Sequence, residues 1–573
     1  MGSKRQRQRR GPQAAAVSKA APGEAAAARV ISLLESRGRW LAIAAVVLAT
    51  VRIVATYHVF DHTSDEPAHI ACGMEYLDKG AYTWEPQHPP LARVAAALGP
   101  YLIGDRSQGT PRVDFKAKFR EGARILYEHD RYDLALALAR AGMLPFFWLA
   151  CWVIYAWGTR YFTQAVASLA VIFFSFVPPV LAHSGLATTD IALTAFITAA
   201  FLAGCVWIEA PTVRHAIWFG VATGLMVLSK FSCLAFFPAS AALSLIWYCR
   251  RTRPQLSMLV AAIRRRIPSF GLACAIGFLV IWAGYRFSFG RTPDIAFPVP
   301  FPELFAGLKE VAEHNARGHL DYLLGTVGGF GFWDFFLVAL GVKTPLGFLA
   351  LLAAGIGLAC RRNSRSVPLW LPLAFSAGIL IVAMFSNINL GVRHVLPVYS
   401  AFSLVAAFAA LHLLKSGRFA TIASAVFCAW FGISSLISHP DYLAYFNELA
   451  GSQPEKILVD SDLDWGQDQK RLAQRLKELG VTEVFYTPHI VGDIYREGFP
   501  RTFYINRDLP GPGWNAVSVT EWKEQRIALW ADKIPPLERV GKTILLWNLD
   551  LKGLPVIRKE VHDPELERSA APR

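Results

Sequence analysis

Charged residues are scarce in this chain. Only 18% of its 573 residues are Asp, Glu, Lys or Arg, whereas 54% are hydrophobic, a balance that excludes an ordinary soluble enzyme. The formal net charge of +15 is not accompanied by a zinc-finger, helix-turn-helix or other nucleic-acid motif. The Lys and Arg residues cluster at the ends of apolar blocks instead. Anchoring by the positive-inside rule therefore explains the charge better than binding to nucleic acid.

Cysteines and secretion signals are also few. The chain has eight cysteines, and none follows Cys428. A folded segment after residue 439 must therefore be stable without disulfides, even on an oxidising side of a membrane. Residues 1–39 are basic, polar and Ala-rich without a signal-peptide pattern, so we expect a disordered cytoplasmic tail. The apolar run Trp40–Phe60 is then expected to be a signal anchor.

Apolar segments long enough to cross a bilayer recur along the chain. We predict about 11 transmembrane helices, at 40–60, 133–157, 164–182, 190–209, 215–230, 232–249, 268–288, 344–360, 367–386, 394–414 and 418–438. With this odd number, the basic clusters between the spans all fall on one side, which the positive-inside rule makes cytoplasmic. The clusters lie at 4–10, Arg160, Arg214, 250–254, 264–266, 361–365, Lys415 and Arg418.

This topology predicts an α-helical polytopic membrane protein with three folded regions outside. The division is a tail over 1–39, a transmembrane domain over 40–438 with outer loops 61–131 and 289–343, and an extracytoplasmic α/β domain over 439–573. Pro67 and the pair Pro89-Pro90 each predict the start of a helix in the first loop. After residue 439, a helix at 466–479 and strands at 457–460, 484–487 and 543–547 are expected.

Acidic residues at the outer ends of the spans are the first candidates for chemistry. Asp65-Glu66 directly follows the first span, and Asp190 lies where the third and fourth spans meet. Each Asp has a second interpretation as a helix N-cap. Glu66 is the weaker candidate, because neighbouring residues of a helix point in different directions. An acid at the depth of Asp190 must pair with a cation or face a cavity.

Basic residues on the same predicted side form a second set. Lys230 interrupts an apolar stretch, Lys343 precedes the eighth span, and Arg393-His394 lies between the ninth and tenth. Each Lys or Arg has the alternative of snorkelling to the interface. Together, the three sites suit a lipid-linked phosphate that enters from the bilayer.

The motifs that contain these residues resemble those of a known family. The chain is similar to C-type-fold, polyprenyl-phosphate-dependent membrane glycosyltransferases, the group of protein O-mannosyltransferases and the lipid A aminoarabinose transferase. Besides Asp65-Glu66, the likeness rests on EPQHPPLARV (85–94), TTDIAL (188–193), GLMVLSKF (224–231), VKTPLGFL (342–349) and GVRHVLPVY (391–399). HPDYLAYFNELAG (439–451) and ILVDSDLDWGQDQKRL (457–472) resemble a bacterial subgroup.

The resemblance implies an enzyme that moves a sugar from a polyprenyl-phosphate donor to a hydroxyl acceptor, with inversion, on the outer face of the membrane. It implies that Asp65 is the general base, with Glu66 and Asp190 as further catalytic candidates. Lys230, Lys343 and Arg393 would stabilise the departing phosphate. His69, His88 and His394 complete the candidate substrate-binding residues. No β-trefoil insertion of the eukaryotic protein mannosyltransferases is visible, which disfavours an unfolded protein chain as acceptor.

No cofactor is certain, and a divalent cation is a further candidate. Asp65, His69 and Asp190 are possible ligands for it. The segment DSDLDWGQD (460–468) also has the Asp spacing of a calcium loop. However, it has Trp465 and Arg471 where that loop has Gly and Glu. A helix start with Asp464 as N-cap explains the segment better.

Two other classes of protein also have many spans and interfacial cations. A transporter or flippase of a lipid-linked sugar would be expected to show an internal repeat or broken helices, and no clear repeat is visible. A non-catalytic membrane scaffold that presents the tail domain is the other alternative. The expected partners are the lipid-linked donor, an unidentified glycan, lipid or protein hydroxyl, and membrane lipids, without nucleic acid. The subgroup resemblance favours the bacterial inner membrane.

Overall fold

The protein is predominantly helical and carries a small sheet near its C-terminus. The computed structural model describes residues 22–292, 294–361, 369–551 and 558–562. The basic cluster predicted at 4–10 and most of the one at 361–365 lie outside these residues. Within the described ranges, the helices are α1 (Pro22–Val54), α2 (Glu66–Met74), α3 (Pro90–Leu102), α4 (Ala117–Tyr127), α5 (Tyr132–Ala141), α6 (Leu144–Tyr161), α7 (Gln164–Phe176), α8 (Pro178–Ser184), α9 (Asp190–Glu209), α10 (Val213–Ser229), α11 (Cys233–Thr252), α12 (Leu256–Gly284), α13 (Pro302–Arg317), α14 (Phe335–Lys343), α15 (Leu346–Cys360), α16 (Trp370–Met384), α17 (Val398–Leu414), α18 (Arg418–Ile437), α19 (Gln469–Glu478) and α20 (Val519–Lys523).

Each predicted span coincides with a helix or a pair of helices. In the described part of the chain, five helical segments are long and apolar enough to cross a membrane, and seven if each of two bent pairs counts as one span. The bent pairs are α7 with α8, at 68°, and α14 with α15, at 119°. The protein is thus an integral membrane protein, as predicted, while the count of 11 spans stays a prediction. α17 is almost wholly buried at the centre of the helices.

The prediction of disorder up to residue 39 is wrong for residues 22–39. These residues form the first part of α1, which continues without a break into the apolar run that begins at Trp40. Its alanines favour a helix, because Ala has the highest intrinsic helix propensity. The helix ends at Val54, six residues before the predicted end of the span. The remainder of the predicted tail lies outside the described residues.

The first outer loop folds as three helices rather than the two expected. Pro67 lies in the first turn of α2 and Pro90 begins α3, as the sequence predicts. The third helix, α4, was not predicted, because its charged segment Ala117–Tyr127 lacks a proline or a polar cap at its start. The second outer loop consists of α13 between two antiparallel hairpins, β1–β2 (Phe289–Thr292, Ile295–Pro300) and β3–β4 (Asp321–Leu323, Thr326–Gly328).

The C-terminal segment from residue 439 onward, called the tail below, is an α/β unit. It is built around a five-stranded mixed sheet, ordered β6-β5-β7-β9-β8. Its strands are β5 (Glu483–Tyr486), β6 (Arg501–Phe503), β7 (Gly513–Ser518), β8 (Glu538–Val540) and β9 (Ile544–Leu549). The strand predicted at 457–460 does not form. There, Leu458 is buried in the core of the membrane helices, so this apolar run packs against them instead of joining the sheet. The division into domains at residue 438 stays a prediction.

Four chain segments meet at one end of the helices and there carry the candidate residues. They are the start of α2, the start of α9, the link between α10 and α11, and the 3₁₀ turn Val392–Val395 before α17. The tail contacts this turn closely. Gly391 has φ +74°, and a side chain there would approach the hydroxyl of Ser461 to 2.7 Å. The adjacent backbone N–H of Val392 donates to Asp462 Oδ1 at 2.9 Å.

Candidate active site

Asp65 and Arg393 form the exposed part of the site. Asp65 immediately precedes α2, but its side chain makes no capping hydrogen bond, so capping does not explain it. Arg393 Nη1 donates instead to Asp65 Oδ2 at 3.0 Å. The Asp65 side chain is 33% exposed, whereas that of Arg393 is only 7% exposed. A solvent-accessible carboxylate is therefore oriented by a buried guanidinium.

Asp190 and Lys230 form the buried part. Asp190 is the first residue of α9, and its N-cap neighbour Thr189 makes no side-chain capping bond. Lys230, where α10 ends in an extended residue, donates from Nζ to Asp190 Oδ1 at 2.7 Å. Arg393 Nη1 lies 3.9 Å from Asp190 Oδ2 and so connects this pair to Asp65. The predicted acids Asp65 and Asp190 and the predicted cations Lys230 and Arg393 thus form one cluster.

Glu66 points away from that cluster. Its carboxylate is fully buried and pairs with Arg140, whose Nε and Nη2 donate at 2.9 and 2.8 Å. The remaining donors are the backbone N–H and hydroxyl of Thr63 and the N–H of Ala187. These bonds occupy both oxygens of Glu66. The carboxylate therefore connects α2 to the loop before Asp190, a position that suits a structural role better than a catalytic one.

His69 and His88 lie beside a buried arginine, and both are close enough to the cluster for the charge of Asp190 to act on them. Arg93 is fully buried and donates from Nε to His69 Nδ1 at 3.0 Å, and it also pairs with Glu85. The two imidazole rings are 5.4 Å apart, edge to face. Burial, reinforced by the charge of Arg93, holds the pKa of both His69 and His88 well below the usual range. Both imidazoles are therefore neutral at pH 7.

Several buried polar atoms in this part of the protein lack a hydrogen-bond partner among the described residues. Nearly all buried polar atoms in proteins are paired, so a cluster of unpaired ones marks a place for water or a polar ligand. His394 has its ring against Phe236 and Phe336, with Nδ1 unpaired. Other unpaired atoms in or near the segments that form the site are His88 Nδ1, His183 Nδ1, Ser184 Oγ, Thr188 Oγ1, Asp190 Oδ2 and Ser232 Oγ.

Lys343 is not in direct contact with the acids of the cluster. It is buried, and its Nζ donates to the carbonyl oxygens of Leu443, at 2.7 Å, and Asp462. The ring of Phe446 lies 4.3 Å from Nζ. Lys343 thus holds the first part of the tail against α14, and its predicted contact with substrate is not supported by this position.

The tail supplies a residue that the sequence reasoning missed. The ring of Trp465 lies 4.0 Å from Cζ of Arg393, and its carbonyl oxygen accepts the N–H of Ser64 at 3.0 Å. Trp465 therefore contacts Arg393 through its ring and Ser64, the neighbour of Asp65, through its carbonyl oxygen. Arg140 and His183 were missed as well, because nothing in a single sequence indicates which apolar helix carries the partner of a distant residue.

Three carboxylates of the segment 460–468, those of Asp462, Asp464 and Asp468, accept hydrogen bonds from protein donors. Among the described residues, the carboxylates of this segment do not form a group close enough for one ion. Asp464 accepts hydrogen bonds from the backbone N–H groups of Gly466 and Thr520. Asp468 accepts hydrogen bonds from the backbone N–H of Lys542 and the hydroxyl of Thr543. The prediction of Asp464 as N-cap is wrong, because α19 begins only at Gln469. Gly466, at φ +90°, carries the chain from Asp464 toward that later start.

The predicted metal ligands Asp65, His69 and Asp190 are bonded to cationic side chains. Arg393 binds Asp65, Arg93 binds His69 Nδ1, and Lys230 binds Asp190. In the described ranges, these three residues do not form a group whose donor atoms are close enough for one ion. One donor atom of each candidate ligand is therefore already bonded to a protein cation.

A comparison with protein families gives independent information on the central part of the chain. Residues 140–268 match the family model described as dolichyl-phosphate-mannose-protein mannosyltransferase. The predicted likeness to these glycosyltransferases is confirmed over this region. The matched residues include Asp190 and Lys230 but neither Asp65 nor Arg393. No curated protein sequence matches the chain.

Solved membrane glycosyltransferases also align with the structure at low identity. ArnT from Cupriavidus metallidurans bound to undecaprenyl phosphate has a TM-score of 0.49 and 12% identity, covering 88% of this chain and 97% of ArnT. The oligosaccharyltransferase AglB of Archaeoglobus fulgidus, in complex with an inhibitory peptide and a dolichol-phosphate, has a TM-score of 0.47 and 12% identity, covering 93% and 77%. The Pmt1–Pmt2 complex of S. cerevisiae bound to its sugar donor has a TM-score of 0.33 and 17% identity, covering 46% and 35%.

Proposed function

We propose that the protein is an inverting glycosyltransferase that moves a sugar from a polyprenyl-phosphate donor to a hydroxyl acceptor. The observation that carries this proposal is the accessible Asp65 carboxylate, held by Arg393 next to the Asp190–Lys230 pair. A base beside buried cations is what transfer from a lipid phosphate requires. The family match over residues 140–268 supports the same class of reaction.

Asp65 acts as the general base in this proposal. Its exposed oxygen accepts the proton of the acceptor hydroxyl, and the resulting oxygen nucleophile attacks the anomeric carbon on the side opposite the phosphate. The bond from that carbon to the phosphate oxygen breaks, so the products are the inverted glycoside and the polyprenyl phosphate. Arg393 orients Asp65 through the hydrogen bond from Nη1 to Oδ2.

Lys230 and Arg393 stabilise the charge that develops on the departing phosphate. An ammonium group has three N–H donors, and Lys230 directs one of them to Asp190 at 2.7 Å. Asp190 positions both cations and offsets their charge before the donor binds. The imidazoles of His88 and His394 and the hydroxyls of Ser184 and Thr188 have unpaired atoms with which to bind the sugar or the phosphate.

The remaining predicted residues have supporting roles. Glu66, paired with Arg140, fixes the start of α2. His69 accepts a hydrogen bond from Arg93, and Lys343 anchors the tail. The site lies on the outer face of a bacterial inner membrane, with the N-terminus in the cytoplasm. Residues 439–573 form the extracytoplasmic domain that helps to select the acceptor.

The decisive experiment compares Asp65→Asn with the unaltered protein in membranes, using a radiolabelled polyprenyl-phosphate hexose. We expect measurable sugar release from the unaltered protein and a loss of about 100-fold or more in Asp65→Asn, since a positioned base contributes about 10²–10⁴-fold. Asp114→Asn is the matched control, because this half-exposed acid pairs with Arg120 on the same outer loop.

Equal turnover in Asp65→Asn and in the unaltered protein would eliminate Asp65 as the base. No release from either, across several sugars and acceptors, while labelled lipid still crosses a vesicle membrane, would favour the transporter interpretation. A loss that Asp114→Asn shares would point to damage of the loop instead of the chemistry.

A further inference from the structure

A second cluster of ligating side chains lies in the first outer loop. Asp105 follows the end of α3, and Glu128 and His129 lie in the short turn between α4 and α5. Each residue offers one ligand atom, and these atoms all lie within 4.8 Å of one another. Among the described residues, these side chains are the one group of three or more whose ligand atoms are this close together. Its hydrogen-bond partners are Arg106 and Arg131, not members of the Asp65 cluster.

The separation of one pair of donors, which are within hydrogen-bond range of each other, also matches that of ligands on a tetrahedral ion. His129 Nδ1 lies 3.2 Å from Asp105 Oδ1. Two ligands bound at about 2.0–2.1 Å with a tetrahedral angle are about 3.3 Å apart. These two atoms therefore have the spacing of zinc ligands without any movement of the chain.

One atom of the cluster points to a missing partner. Asp105 is fully buried, and its Oδ2 has no hydrogen-bond partner among the described residues. An unpaired carboxylate oxygen in such a position is costly unless a donor or a cation binds it. Its other oxygen already faces His129 Nδ1 and, at 3.3 Å, Arg131 Nη2. The free oxygen belongs to the same buried carboxylate as the oxygen that faces the imidazole.

We propose that Asp105, Glu128 and His129 form a binding site for one Zn²⁺ ion. An imidazole with two carboxylates suits zinc, whereas magnesium prefers an oxygen-only, octahedral set of ligands. Water completes the coordination on the exposed side, where the His129 side chain is 49% exposed. The ion ties the end of α3 to the turn before the membrane helix α5–α6. It thereby closes the outer loop that carries the proposed base.

The test measures bound metal on the full chain, purified without a histidine tag in lipid nanodiscs. The protein is stripped with EDTA, incubated with Zn²⁺ or Mg²⁺, desalted and analysed by mass spectrometry for metal content. We expect the unaltered protein to retain one Zn²⁺ per chain more than Asp105→Asn or His129→Gln, and to retain no Mg²⁺. Zn²⁺ should also raise the unfolding temperature of the unaltered protein only.

Asp130→Asn is the matched control, because its side chain is 92% exposed and pairs with Arg496 outside the cluster. It should retain zinc like the unaltered protein. His129→Gln keeps the test valid if Asp105→Asn fails to fold, since His129 is half-exposed. Equal zinc retention in the unaltered protein and His129→Gln would overturn the proposal, as would retention of magnesium instead of zinc. Because the readout is bound metal, this result is independent of the proposed transferase activity.

Discussion

The guanidinium of Arg393 lies 4.0 Å from the centre of the Trp465 ring. Through this contact the tail fixes a residue that belongs to the membrane helices. Nη1 of the same guanidinium reaches Asp65 Oδ2 at 3.0 Å, and the carbonyl of Trp465 holds Ser64, the neighbour of Asp65. Trp465 therefore determines how the proposed base and its cation face each other. The tail completes the site, in addition to any role in selecting the acceptor.

We predict that Trp465→Leu lowers kcat about tenfold or more while the KM for the lipid donor changes little. The leucine removes the cation–π contact, worth about 0.5–2 kcal/mol, and frees the guanidinium to move away from Asp65. Trp465→Phe keeps an aromatic face and should restore most of the turnover. The measurement is steady-state kinetics on protein whose folded fraction has been determined. Equal losses in both variants would show that Trp465 only supports the fold.

We predict that Glu66→Gln destabilises the protein instead of removing its chemistry. Breaking a buried ion pair leaves Arg140 uncompensated and typically costs about 3–5 kcal/mol. The double variant Glu66→Gln/Arg140→Met should recover part of this loss, because it removes the unpaired charge. Thermal unfolding measures the stability, and turnover per folded molecule should stay well above that of Asp65→Asn. Turnover as low as in Asp65→Asn, at full stability, would assign Glu66 to the chemistry.

The sequence predicts the elements of the site better than their connections. Apolar run length locates α9 to the residue, because a bilayer-spanning helix needs about 20 consecutive, predominantly apolar residues. The prolines at 67 and 90 locate α2 and α3 for a similarly local reason. Asp65 and Glu66 are neighbours in the chain yet face different partners, as expected for adjacent residues of a helix.

Contacts between residues far apart in the chain determine the features that the sequence could not predict. Trp465 lies in the tail, far along the chain from Arg393, and no periodicity or motif relates them. The apolar run at 457–460 has the composition of a strand, but Leu458 is buried against membrane helices. In both cases tertiary packing overrides the local pattern, and only the folded chain shows which surface a segment meets.

Lys230 is predicted to contribute to donor binding. Replacing it with Gln removes a charge-assisted hydrogen-bond donor, worth about 1.5–3 kcal/mol, so the KM for the polyprenyl-phosphate sugar should rise about 10–100-fold. The KM for the acceptor should change much less. Lys309→Gln is the control, because Lys309 is an exposed lysine of the second outer loop that pairs with Asp294. An unchanged donor KM in Lys230→Gln would restrict Lys230 to pairing with Asp190.

The tail is predicted to lose stability as the pH rises from 6.5 to 9. Burial alone would lower the pKa of His489, but its hydrogen bond to Glu521 and the charges of Asp464 and Asp460 raise the pKa to about 9. Because the folded state holds this proton more tightly than the unfolded chain, the stabilisation is complete below pH 6.5 and disappears through pH 9. It amounts to about 3 kcal/mol at most.

Glu524 acts in the same direction, since burial and then the charge of Asp460 raise its pKa to about 9. We therefore expect His489→Gln to flatten the fall in unfolding temperature between pH 6.5 and 9 without abolishing it. The unfolding temperature of both proteins, measured in the same lipid at several pH values, is the test. His489 is the member of the His489–Glu521 pair that loses its charge as the pH rises, and the variant lacks it. An equally steep fall in His489→Gln and in the unaltered protein would therefore mean that this ion pair contributes nothing to the pH dependence.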